Sequence, residues 1–148
     1  MKSAGLGRKV ALVVAAVAMA TVGVTTGASA DVGVLALDHK DPYDTGCANT
    51  KSAVRTGTLT DRNGNPVGTI KLMWSTSCQT NWIEIWVPTT AYGNIWVRTS
   101  SKRDDFAFKA GNGGHHWGNM LVAPGVCAWG GATTSNPSSR GQTPSACG

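Results

Sequence analysis

Val54-Arg55-Thr56-Gly57-Thr58-Leu59-Thr60 runs into Asp61-Arg62-Asn63-Gly64-Asn65-Pro66 and out again through Val67-Gly68-Thr69-Ile70-Lys71-Leu72-Met73-Trp74. Successive side chains of a strand point to opposite faces, and this stretch obeys that period. Ile70, Leu72 and Trp74 share one face, while Thr69, Lys71 and Met73 share the other. Between the two runs, Asn63-Gly64 supplies the positive φ that a tight hairpin turn requires. The pattern predicts two antiparallel strands joined at Asp61–Pro66.

Downstream the period stays at two. Ile83, Ile85 and Val87 oppose Trp82, Glu84 and Trp86 until Pro88, which has no amide proton for a ladder. Ile95 and Val97 oppose Trp96 and Arg98, and Phe106 with Phe108 marks a short fifth strand. Met120–Val122 and Val126–Trp129 offer two more, while Gly111–Gly114 reads as a flexible loop. Helical turns fit only at Thr50–Arg55 and Trp117–Met120. Gly130–Ser145 is dominated by Gly, Ser, Thr and Pro and reads as a loop without core. Strands at this spacing predict an all-β domain, a small antiparallel sandwich or barrel of about six strands, stapled by disulfides.

Upstream, residues 1–30 read as an export signal. Lys2, Arg8 and Lys9 precede the uncharged apolar run Val10–Ala20, and Ala28-Ser29-Ala30 gives small residues at the cut. That run falls short of the roughly 20 apolar residues a membrane span needs. The expected organisation is a signal peptide (1–30), an N-terminal arm (31–44), a β domain (45–130) and a Gly/Ser/Pro-rich tail (131–148) tied by Cys147. The arm opens Asp31-Val32-Gly33-Val34-Leu35-Ala36-Leu37, apolar and capable of forming a strand. It fits a docked or frayed terminus. Its functional reading is a donor strand for a partner's sheet, with Val32, Val34, Leu35 and Leu37 as the side chains to be received.

Composition narrows the function classes. With 19 Gly, 6 Pro and only 14% charged residues in 148, neither a coiled coil nor a charged disordered tail is compatible. The formal charge is +5, but cleavage before Asp31 removes three of 13 basic residues and none of the eight acidic ones, leaving +2. Beyond residue 30 the longest basic run, Lys102-Arg103, is answered at once by Asp104-Asp105. Nucleic-acid binding needs clustered Lys and Arg and is not expected.

Four cysteines, Cys47, Cys78, Cys127 and Cys147, make an even count in a small exported chain, which reads as two disulfides. Three pairings are possible. Cys47–Cys78 with Cys127–Cys147 is favoured, since each closes a modest loop and leaves no thiol over. Each bridge would contribute about 3 kcal/mol by the chain-entropy argument. Zinc is not expected, because no Cys-x-x-Cys or Cys-x-x-His spacing occurs.

Several blocks carry a likeness. Asp44-Thr45-Gly46-Cys47-Ala48, Asn63–Leu72 and Trp74-Ser75-Thr76-Ser77-Cys78-Gln79-Thr80-Asn81-Trp82 resemble the YjfA-like family of domains of unknown function. Gly118–Val122 with Cys127-Ala128 is similar to that family's closing motif. The resemblance spans Pro42–Trp129 and implies a small secreted Gram-positive domain with a shared Cys47–Cys78 bridge. It brings no activity with it. It allows a role as an accessory subunit of a secreted antibacterial assembly. Cys147 lies outside the family pattern, so its pairing with Cys127 rests on counting.

Candidates for chemistry are few. His115-His116 and Asp104-Asp105 form the one titratable cluster, with Ser100 and Ser101 nearby in sequence. No Gly-x-Ser-x-Gly or His-Glu-x-x-His motif ties them together. Glu84 is the sole glutamate, so a Glu–Glu glycosidase pair is impossible. Adjacent histidines on a strand point to opposite faces, a poor geometry for joint ligation. No cofactor or metal is expected.

The six tryptophans stand out beside two Phe and two Tyr. Trp82, Trp86 and Trp96 oppose the aliphatic faces and share their side with Glu84 and Arg98. These residues are either packing or a recognition face. The expectation is a secreted, non-catalytic protein-interaction or adaptor domain. A cell-wall carbohydrate-binding domain and a small hydrolase using His115 or His116 are the alternatives.

Overall fold

A computed structural model describes residues 36–148. The segment read as an export signal, with Val32, Val34 and Leu35 of the arm, lies outside the described residues.

β1 (Lys51–Thr60) and β2 (Pro66–Ser75) form the predicted hairpin, paired from Lys51↔Ser75 to Thr60↔Pro66. Asp61 builds its turn, accepting hydrogen bonds from the amides of Asn63 and Asn65, while Gly64 takes φ 84°. β3 (Thr80–Trp86) continues the meander, and β4 (Tyr92–Thr99) and β5 (Arg103–Phe108) form a second hairpin. β6 (His115–Trp117) and β7 (Leu121–Val122) lie against β3. β8 (Cys127–Ser135), β9 (Ser139–Gln142) and β10 (Ala146–Cys147) complete the set.

All pairings are antiparallel, in the order β5-β4-β8-β9-β1-β2-β3-β6, with β10 beside β8 and β7 beside β3. The sheet curls into a nearly closed barrel. Its two end strands meet through side chains, with the rings of Phe108 and His116 4.5 Å apart. Leu59, Ile70, Leu72, Ile83, Ile85, Ile95 and Val97 fill the interior. All but Leu59 lie on the aliphatic faces that period-two alternation separated, whereas Trp74, on the face of Ile70 and Leu72, is only half-buried.

The fold is all-β as expected, but with ten described strands rather than about six. The stretch read as a tail without core contributes the end of β8 and all of β9 and β10. Its inward residues are small because their neighbours are large: a Cβ on Gly130 would stand 2.4 Å from Ile83 Cγ1. Ala132, Thr134 and Ala146 are buried on the same strands. Small inward residues give no apolar alternation to read. The helical turns also fall elsewhere, as 3-10 turns at Cys47–Thr50 and Asn112–Gly114.

Residues 36–50 form a strap across the outer face of β2 and β3. The amide of His39 donates to Met120 O, and the amide of Met120 donates to Lys40 O. Asp38 accepts from the Val122 amide and from Lys102 Nζ. Cys47–Cys78 fastens the strap, and Cys127–Cys147 joins β8 to β10. All four cysteines are bonded as expected. Under the strap, Cys47, Met73, Trp82 and Met120 make a second small core, with Leu37 packed against it.

Candidate functional site

The strap turns one face of the barrel into a polar cluster centred on Glu84. Outward positions on β3 alternate Trp82, Glu84, Trp86, and β6 sets Trp117 opposite Glu84 and His115 opposite Trp86. Glu84 is 1% exposed. A carboxylate so placed is tolerated only when its lone pairs are filled. Oε1 accepts from Lys51 Nζ (2.8 Å), Tyr43 OH (3.0 Å) and Trp82 Nε1 (3.0 Å). Oε2 accepts from His115 Nε2 at 2.9 Å. Lys51 also donates to the Tyr43 hydroxyl.

Burial alone would raise the Glu84 pKa, yet the hydrogen bonds from Lys51, Trp82, His115 and Tyr43 together hold it below the usual value. Burial likewise opposes the Lys51 charge, and the bonds to Glu84 and Tyr43 outweigh it, so the Lys51 pKa is raised. Glu84 is thus an anion held by four donors. A general acid needs the opposite, a carboxyl that keeps its proton near neutrality.

Above this hub runs a row of rings. Tyr43 and Trp117 lie 4.4 Å apart, His115 and Trp117 5.4 Å, and Trp86 stacks on His115 at 4.5 Å. Lys71 Nζ lies 4.7 Å from the Trp86 centroid. Trp117 donates to Asp41 Oδ2 at 2.9 Å. Tyr43 and Trp86 are the exposed members, each 37%.

The Trp82, Glu84, Trp86, Trp96, Arg98 face expected from alternation is therefore divided. All five point outward, but the strap buries Trp82 and Glu84. Trp96 and Arg98 stand on β4, which the sheet order separates from β3 by β8, β9, β1 and β2. Arg98 is engaged with Asp105 Oδ1 and Asp104 O, both at 2.7 Å. Among the arm residues, Leu37 packs against the second core rather than standing free. His115 and His116 do point to opposite faces. Asp104 bonds His39 Nδ1 at 2.6 Å and meets neither histidine of the pair.

Residues 35–125 match the family described as a protein of unknown function (DUF2690). The chain belongs to that family. A relative, the uncharacterized protein YjfA of Bacillus subtilis, is 31% identical over 93 residues, covering 59% of each chain. The chain thus spans about three-fifths of that relative's length. No solved structure matches. The DUF2690 match takes in the strap, the Glu84 hub and Cys47–Cys78, and stops before β8. No helix among the described residues is long and apolar enough to cross a membrane.

Tyr43, Lys51 and Trp117 were not singled out in the sequence as partners of Glu84. Only the strap's path and the β3–β6 register bring them together, and neither leaves a local signal.

His116 points inward, 6% exposed, and its Nε2 has no hydrogen-bond partner. Burial lowers its pKa, with the neighbouring His115 charge as a second cause. The folded state therefore resists its protonation, and stability falls as pH drops below the ordinary histidine value of 6.5. In His116→Leu, Tm declines less between about pH 7 and 5 than in the wild type, as followed by thermal unfolding.

Proposed function

We propose that this chain is an exported, non-catalytic interaction domain, an adaptor that docks another extracellular protein through its N-terminal arm. Under the family resemblance, the role takes the form of an accessory subunit of an extracellular antibacterial assembly. One observation carries the reading. The apolar Val32–Leu37 stretch precedes a sheet whose described strands all lie between Lys51 and Cys147. Leu37 packs under the strap, and the apolar run Val32–Leu35 just before it is a strand-capable segment that suits a partner's sheet edge. Two disulfides suit an oxidising, extracellular setting. The saturated, ionised Glu84 supports binding rather than acid catalysis. The aromatic row beside the strap offers a second contact surface, with Tyr43 and Trp86 at its tips.

The test is capture from culture supernatant with tagged protein starting at Asp31, beside the same protein starting at Ala36. The longer form retains one secreted protein in stoichiometric amount and the shorter form loses it. Equal capture by both forms removes the arm from the function, and sedimentation with purified cell wall alone replaces the adaptor reading with the carbohydrate one.

A further inference from the structure

The face opposite the strap holds a different set of side chains. Outward positions there are Trp96 on β4, Gly131 and Thr133 on β8, Arg140 and Gln142 on β9, and Thr60 on β1, placed side by side by the register. Trp96 packs over Gly131, where a Cβ would stand 2.8 Å from the indole Cζ2 and 2.2 Å from Gly141 O. Trp96, Thr133, Arg140 and Gln142 line a cleft of about 370 Å³. A second cleft of about 570 Å³ shares Thr60, Thr133 and Arg140 and runs on to Arg62 and Ser138. Each falls in the size range of ligand sites.

The polar groups of the two faces are used differently. Around Glu84 the donors and acceptors bond one another. In the cleft, the side chains of Thr60, Arg62, Thr133, Arg140 and Gln142 make no hydrogen bond or ion pair with the described residues. Asp61 lines the second cleft, but its carboxylate is spent on its own turn, on the Asn63 and Asn65 amides and Asn65 Nδ2. Both guanidinium groups are thus unanswered among the described residues.

An indole with the Arg98 guanidinium 5.2 Å from its centroid, beside unpaired amide, hydroxyl and guanidinium groups set along a cleft, matches an acidic sugar. Its C–H face packs on the ring, its hydroxyls meet Gln142 and Thr133, and its carboxylate takes the Arg140 fork. We propose that this cleft binds an acidic oligosaccharide. The site is separate from the strap face and independent of the adaptor role. It depends on β8 and β9, which lie beyond the DUF2690 match.

The test titrates the isotopically labelled protein with the disaccharide N-acetylglucosaminyl-N-acetylmuramic acid, observed by amide and indole NMR shifts. N,N′-diacetylchitobiose, which lacks the lactyl carboxylate, and free lactate run in parallel. Trp96 Nε1–H and the Gly131, Arg140 and Gln142 amides shift with the acidic disaccharide. Arg140→Gln weakens it about tenfold, the scale of one charge-assisted hydrogen bond. Trp86→Ala, on the other face, binds as the wild type does. Arg140→Gln spectra are read first, so that a misfolded variant is recognised by its dispersion. Shifts confined to the Trp86 face, or no shifts with any sugar, overturn the proposal. Equal affinity for chitobiose, or lactate alone reproducing the shifts, overturns its acidic-oligosaccharide form.

Discussion

Glu84→Ala destabilises the domain by about 3–5 kcal/mol, the range for removing one partner from a buried ion pair. The substitution leaves the half-buried Lys51, the buried Trp82 Nε1 and His115 without an acceptor. It also opens a cavity between β3 and the strap. In thermal unfolding this reads as a fall of about 10–20 °C in Tm for a domain of this size. The pH dependence has a fixed sign. The folded Glu84 pKa is lowered, so its contribution is complete above the ordinary carboxylate range and is lost as pH falls through the folded value. The gap between wild type and Glu84→Ala therefore narrows in acid. The folded Lys51 pKa is raised, so its share persists through neutral pH and is lost as pH climbs past the folded value. A gap under about 1 kcal/mol at neutral pH, the level of an exposed ion pair, would mean the hub is wet rather than buried.

Replacing Cys47 and Cys78 together by Ala has the next largest effect. The bridge spans 31 residues, and loss of a loop constraint of that length costs about 3–4 kcal/mol. The consequence reaches further than the entropy, because the bridge fastens the strap that covers Trp82 and Glu84. Intrinsic fluorescence of the variant shifts to the red at temperatures where the barrel's far-ultraviolet spectrum is still native. Removing Cys127 and Cys147 frees the short β10, whose end packs on Trp74, and leaves the strap over Trp82 and Glu84 in place. Emission that moves only with global unfolding would mean the strap holds without its bridge.

Legibility in the sequence followed the size of the inward side chains. Where large aliphatics alternate, as in Ile70 and Leu72 or Ile83 and Ile85, faces and pairing could be read directly. The Asn63-Gly64 turn fixed the first hairpin. Where a strand turns Gly130, Ala132 or Thr134 inward, the same physics writes no pattern, and β9 and β10 passed for a loop. His115–Trp117 was hidden behind its glycine flank. The outward face of β3 was assigned correctly, yet its burial was not legible. Alternation distinguishes the two sides of a strand but does not reveal that residues 36–50 return to cover one of them. Tyr43 and Lys51 reach Glu84 through that return, and Arg140 and Gln142 reach Trp96 through β8. Both encounters are long-range.

The measurement that tests the account most directly is amide hydrogen exchange across Val32–Leu37, in the free protein and in complex with the protein it captures. A donor strand forms backbone hydrogen bonds along a partner's edge, so alternate amides of Val32–Leu37 become strongly protected in the complex while the barrel's protection stays as it was. Unchanged exchange of the arm in a stoichiometric complex, with new protection on the Tyr43–Trp86 row instead, would contradict the arm's role and move the interface to the strap face.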